Sequence, residues 1–294
     1  MDLLRDIFVN PFVEMAAMPD LFLQTLWEGL VSGVLYALIA LGFVLIYKAT
    51  EAVNFAQGDF MMLGAFITLG LTNEQFWGLP FWVSVPIAIF LMGVFGYLLD
   101  MIVLRRMFGQ SQVAVVILTI ALGFVLRFIA GLIWGPQPIS LESPIAGQDV
   151  RFGGLVLGLD EVSIIVVTIF LTVALYFYFN NTKLGVAMQA ASQNQLAAYY
   201  MGIPVKRVHS LIWALAGAVA AVAGILFASK GSIDPSIGLL GIKAFAAAVI
   251  HFFGGVNSED TFLVLRDTDA APVLGHVGVV HKRAVLVLHE DHAG

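Results

Sequence analysis

The 294 residues are 60% hydrophobic and 12% charged, with a mean hydropathy of +0.94, whereas soluble domains carry about 25% charged residues. One anchor cannot supply such a mean; it requires several apolar stretches of roughly 20 residues, the length that crosses a hydrocarbon core of about 30 Å. The formal net charge of −6 is thinly spread and argues for neither nucleic acid nor an acidic partner, and the lack of cysteine excludes disulfides and thiolate metal sites.

Residues 1–20 carry Asp2, Asp6, Glu14 and Asp20 against Arg5, the wrong balance for a signal peptide. The first apolar run is therefore expected to be a retained helix, preceded by an extracytoplasmic segment. Six runs read as membrane helices, about 21–47, 60–77, 80–104, 112–134, 162–180 and 208–229. A seventh, about 237–255, carries Lys243 and His251, each of which needs a polar partner or a snorkelling route. The expected fold is an all-α, polytopic transmembrane bundle of about seven helices, with its membrane domain over 21–254. The second run is short, because Asn73 and Glu74 interrupt it, and is expected to be tilted or broken.

Placing the N-terminus outside puts Lys48, Arg105, Arg106, Lys183, Lys206 and Arg207 in the cytoplasm, against Arg5, Arg151 and Lys230 outside. This satisfies the positive-inside rule and requires 60–77 to cross, so that Lys48 and the Arg105-Arg106 pair share a face. The outer connection, about 135–161, contains Pro136, Pro138 and Pro144 with Glu142, Asp149, Asp160 and Glu161, and reads as irregular and solvent-exposed. Small residues recur at helical spacing as Gly29, Gly33 and Ala37, and as Gly217, Ala220, Ala221, Gly224 and Ala228, stripes that let helix backbones pack closely in lipid.

The segment Glu51 to Phe60 follows the first helix. Asp59 is placed to cap the helix starting near Phe60, with Gly58 permitting the turn. The alternative is functional: an interrupted helix leaves free backbone N–H groups and a positive dipole end that can hold a substrate carboxylate, with Asn54 and Gln57 lining the site. Glu28, Asp100 and Arg127 are the ionisable residues in or near apolar runs, so each is expected to face the bundle interior or a wet cavity, or to reach the interface. Asp100 is expected to pair with Arg105 and Arg106. Arg127 lies mid-run and is a candidate for the substrate pathway or for a structural ion pair.

Thr182 to His209 is the longest polar cytoplasmic stretch. Its alanine-rich middle, Val186 to Tyr200, reads as a short surface helix stopped by Gly202 and Pro204. It is either a solvated connector or a docking element.

These features resemble the permease subunits of branched-chain amino acid ABC transporters. The likeness rests on Gly33-Val-Leu-Tyr-Ala-Leu-Ile-Ala-Leu-Gly-Phe43, on Asn54-Phe-Ala-Gln-Gly-Asp-Phe60 with Met62-Leu-Gly-Ala-Phe66, and on the region from Gly202-Ile-Pro204 to Gly224-Ile-Leu226, across about 21–250. It implies a permease that pairs with a second, related permease, docks two cytoplasmic ATPases and receives substrate from an extracytoplasmic binding protein. The substrate pathway would include Asn54, Gln57, Asp59 and Arg127. ATPase docking would fall on Gln189, Leu196, Ala197, Ala198 and Gly202 within a coupling segment at 182–208. Leu196-Ala-Ala-Tyr-Tyr-Met-Gly202 keeps the alanines and glycine of the family's docking motif but has leucine in place of its acid. No Gly-x-x-x-x-Gly-Lys-Ser/Thr phosphate loop occurs, so ATP is expected to be used by a partner subunit, and no cofactor or metal is expected in this chain.

After Ala246 to Ile250 the pattern departs from the family. The charged residues of 255–294 leave no apolar run long enough to cross a membrane, and an altered or frame-shifted, loosely ordered terminus is the expectation. Five histidines from His251 onward match no metal-ligand spacing. The alternatives are a urea or amide ABC permease and an ion-gradient-driven transporter using Glu28, Asp100 or Arg127 as a relay.

Overall fold

The computed structural model describes residues 18–50, 53–107, 110–152 and 155–249. Five helices among them are long and apolar enough to cross a membrane. They are α1 (Pro19–Thr50), α3 (Phe81–Ile102), α4 (Gln112–Trp134), α5 (Leu159–Asn181) and α8 (Val205–Lys230). Between them lie α2 (Gln57–Thr72), the short helices α6 (Lys183–Gln193) and α7 (Gln195–Tyr200), and a one-turn 3₁₀ helix at Leu104–Met107. Two small antiparallel ladders complete the description. In one, β1 (Ile139–Ser140) pairs with β4 (Ser232–Ile233); in the other, β2 (Asp149–Phe152) pairs with β3 (Leu155–Gly158). After β4, a 3₁₀ turn at Pro235–Leu239 leads into helix α9, residues 240–249. The expected tail, 255–294, and the histidines from His251 onward lie outside the described residues.

Helix α8 is the axis of the bundle and packs along α1, α2 and α3. Its small residues make this possible. A Cβ added at Gly217 would strike the Met92 carbonyl of α3, one at Gly224 would strike the Met61 carbonyl of α2, and Gly64 of α2 abuts Ala221. Without a hydrophobic drive between helices in lipid, such close backbone approach supplies the dispersion that holds them. The other expected stripe behaves differently: nothing lies within 4 Å of a Cβ built at Gly29 or Gly33. That face of α1 is open among the described residues.

Burial separates axis from periphery. The apolar window of α8 is 67% buried, against 22% for α4 and 11% for α5. Phe124 and Phe128 of α4 and Phe170 of α5 stand exposed, as expected of surfaces solvated by lipid.

Contacts fix which helix ends meet. At one end, Glu161 at the start of α5 accepts from Trp27 Nε1 of α1 at 2.6 Å and pairs with Lys230 of α8 at 2.9 Å. Gln24 of α1 makes two hydrogen bonds to the Val156 backbone in β3 at this end. At the opposite end, Arg105 donates to the Lys206 carbonyl at the start of α8.

Helix α2 is the main correction to the expected elements. It has 16 residues, about 24 Å at 1.5 Å per residue, and falls short of a crossing. It begins inside the bundle: the Gln57 side chain fills the space beside Gly42 of α1 and donates weakly, at 3.5 Å, to the Ala216 carbonyl near the midpoint of α8. From there α2 runs toward the Glu161 end, where Leu71 packs on Ala88 of α3 and Phe66 on Trp134 of α4. The return from the end of α1 is thus shared between the non-helical residues 53–56 and α2. The end of α1 and Arg105 still share a face, as the charge pattern requires.

The expected seventh helix begins as the 3₁₀ turn and α9. Phe245 of α9 packs against Phe43 of α1 and Phe55, and Lys243 is exposed.

Candidate functional site

The start of α2 is built by local polar bonds. Asn54 Oδ1 accepts from Ala56 N at 3.1 Å, the Asn54 carbonyl accepts from Gln57 N at 3.2 Å, and Phe55 N donates to Thr119 Oγ1 of α4 at 3.2 Å. Backbone groups that leave the helical pattern inside an apolar bundle must find partners there, and Asn54 and Thr119 provide them. Asn54 Nδ2 also reaches Gln57 Oε1 at 3.4 Å. Both amides are buried, so the side chains form a polar strip within the bundle.

Asp59 does not cap α2. The helix starts at Gln57 with Ala56 in the cap position, which places Asp59 in the first turn. Its carboxylate instead receives Arg127 of α4, with Nε 2.6 Å from Oδ1 and Nη2 3.2 Å from Oδ2. This two-pronged arrangement is the strong form of the Arg–carboxylate bond. Asp59 is fully buried and the Arg127 side chain is 22% exposed, with its guanidinium over Phe124 at 5.2 Å from the ring centroid.

Glycines make room for the pair. A Cβ at Gly123 of α4 would collide with Asp59 Oδ2, and one at Gly238 of the 3₁₀ turn with Oδ1. Gly58 and Gly241 touch through their backbones, since a Cβ on either would lie 2.7 Å from the other's Cα. The first turns of α2 and α9 therefore lie side by side. Both present positive dipole ends, and the Asp59 carboxylate lies among them. The structure brings all four expected pathway residues, Asn54, Gln57, Asp59 and Arg127, into one region. Glu28 lies apart, exposed on α1, with Gln24 Nε2 3.5 Å away.

A second buried carboxylate lies toward the Arg105 end. Asp100 of α3 is 2.7 Å from His209 Nδ1 and accepts from Ser210 Oγ at 2.5 Å, both on α8. Arg105 joins through Nη2 to Ser210 Oγ at 2.8 Å, with its Nε 3.7 Å from Asp100. The expected pairing of Asp100 with the arginines is thus partly displaced: Arg106 is exposed, and His209 and Ser210 take the carboxylate. Sequence reasoning missed these two partners. The available signal was the polar His209-Ser210 step opening an otherwise apolar helix.

The stretch 182–208 is not one helix. Asn194, with φ −155° and ψ 100°, separates α6 from α7, and its side chain caps α7 by accepting from Ala197 N at 2.9 Å. Asparagine gains more as a cap than inside a helix, which explains the break. Gly202 ends the stretch with φ +83°, the left-handed turn that only glycine adopts freely. Ala198 packs inward on Val208 and Ile212, while Leu196, Tyr199, Tyr200 and Met201 are exposed. A groove of about 830 Å³ runs beside them, lined by Leu196, Tyr199, Pro204, Lys206 and Arg207 among others. Of the other expected docking residues, Ala197 is exposed, and Gln189 is exposed but bonded to the end of α5 through the Phe179 carbonyl.

A family model described as the permease component of the branched-chain amino acid transport system matches residues 25–258. The chain is 30% identical to the high-affinity branched-chain amino acid transport system permease protein BraD of Pseudomonas aeruginosa, over 82% of each chain. It is 32% identical to a probable branched-chain amino acid transport permease protein LivH of Methanocaldococcus jannaschii, over 74% of this chain and 70% of that one. The Escherichia coli permease protein LivM is 26% identical over 76% of this chain and 57% of its own. No solved structure matches significantly.

Proposed function

Because the chain belongs to the family of branched-chain amino acid transport permease components, we propose that its buried polar strip is the pathway by which such amino acids cross. The chain is a multi-pass membrane permease subunit of an ATP-driven importer. The observation that carries the pathway assignment is the break in the bundle at Asn54–Gln57, next to the Asp59–Arg127 pair. A zwitterionic amino acid could exchange with that pair, its carboxylate taking Arg127 and its ammonium Asp59, while the amides of Asn54 and Gln57 follow the polar backbone groups.

The Arg105 end, which also carries Lys183, Lys206 and Arg207, faces the cytoplasm in this reading, and the N-terminus lies outside. The excess of basic residues at that end supports this. The exposed residues of α7 and the turn at Gly202 would meet a separate ATPase, one of two, which supplies the fuel. The relatives include both LivH-type and LivM-type permeases, which supports a second, related permease as partner. A binding protein on the Glu161 side would deliver substrate.

The test is uptake of labelled leucine in cells expressing the chain with its neighbouring permease, ATPases and binding protein. Uptake should require hydrolysable ATP and vanish when the ATPase's own catalytic glutamate is replaced. Uptake driven by a proton gradient without the ATPase would refute the assignment.

A further inference from the structure

Helices α6 and α7 rest on the first turns of α8 through Met188, Ala191, Ala198, Val208 and Ile212. Ser192 and Gln195 share a small crevice with His209. One residue further along α8, Ser210 is held by the buried Asp100 of α3, and Arg105 bonds both Ser210 Oγ and the Lys206 carbonyl. About one and two turns deeper, Gly96 and Gly217 bring the α3 and α8 backbones into contact, at Trp213 and Met92 respectively. Phe60, next to Asp59, stacks edge-on against both Phe95 of α3 and Trp213 of α8. A continuous packed route thus leads from α7 to the Asp59–Arg127 pair, and the network at Asp100 is its polar joint.

Smooth contacts between small residues leave two helices free to slide along each other; a buried carboxylate with several directional donors fixes one register. We propose that Asp100 is a positioning residue that makes α3 move with the first turns of α8, so that displacement of α7 by the ATPase reaches the α2 start. The inference rests on the reading of 182–208 as the ATPase-facing segment. Ser210 bonds Asp100, Arg105 and the Lys206 carbonyl, so its effect on transport would run through helix register.

The experiment uses the complete complex, with its ATPases and second permease, in liposomes with loaded binding protein, and reads leucine taken up per ATP hydrolysed. Asp100→Asn should keep ATP hydrolysis and ATPase co-purification while that ratio falls about fivefold or more, the lower range of a typical coupling between sites. Should Asp100→Asn fail to assemble, Ser210→Ala removes only one donor and should lower the ratio in the same direction. Uptake and hydrolysis falling together in Ser210→Ala, or an unchanged ratio in assembled Asp100→Asn, would overturn the proposal. A wild-type complex that hydrolyses ATP without leucine uptake would overturn the transport reading and this inference with it.

Discussion

Arg127 holds Asp59 with both prongs of its guanidinium, at 2.6 and 3.2 Å, and so fastens the first turn of α2 to the middle of α4. The pair spans 68 positions of sequence and sits where two helices begin within the bundle. Removing one partner would leave the other charge buried. Arg127→Gln should therefore destabilise the detergent-solubilised protein by about 3–5 kcal/mol, whereas Asp59→Asn with Arg127→Gln should recover most of that loss. Thermal unfolding followed by size-exclusion chromatography would measure both, and leucine uptake should stay low in the double variant.

Glycine substitutions should separate packed from open positions. Helical glycine to alanine is ordinarily stabilising by up to about 1 kcal/mol. Gly29→Ala meets nothing within 4 Å among the described residues and should follow that rule. Gly224→Ala drives a methyl into the Met61 carbonyl and should lower the melting temperature instead. Equal shifts in both would contradict the packing described.

The proposed docking surface on α7 should be sensitive to charge and backbone. Tyr199→Asp places a carboxylate on the exposed apolar face of α7, and Gly202→Arg puts a long charged side chain at φ +83°. Both should weaken co-purification of the ATPase while membrane insertion is unchanged. Full retention of the ATPase by both variants would remove α7 from the interface.

Topology can be read directly because the chain contains no cysteine. A single cysteine at Lys206 should be labelled by an impermeant thiol reagent only after cells are opened. One at Val156 should be labelled from outside intact cells. The reverse pattern would invert the assigned orientation.

Much of this architecture was legible in the sequence because hydrocarbon-length apolar runs leave few alternatives, and α1, α3, α4, α5 and α8 lie close to their expected spans. Asp59 was conspicuous as a cap candidate before an apolar run, and Arg127 as a charge within one. Their union was not legible, since either could have been an independent cap or relay, and only the crossing of α2 and α4 decides it. The start of α2 shifted from Phe60 to Gln57 because Asn54 supplies a turn that propensity alone does not reveal. Likewise, Asn194 looked like one more polar residue in an alanine-rich helix until its side chain was seen capping α7. His209 and Ser210 escaped notice because their partner, Asp100, already had a plausible mate nearby in Arg105.

In the proposed mechanism the polar strip opening at Asn54 becomes the amino-acid path during ATP-driven import. Asn54→Cys, as the only thiol in the chain, reports it through reaction with a small charged thiol reagent in vesicles carrying the whole complex. Modification should be slow at rest, faster when ATP and loaded binding protein are supplied, and slowed again by excess leucine. A thiol that stays unreactive under every condition, in vesicles that accumulate leucine normally, would place the path elsewhere.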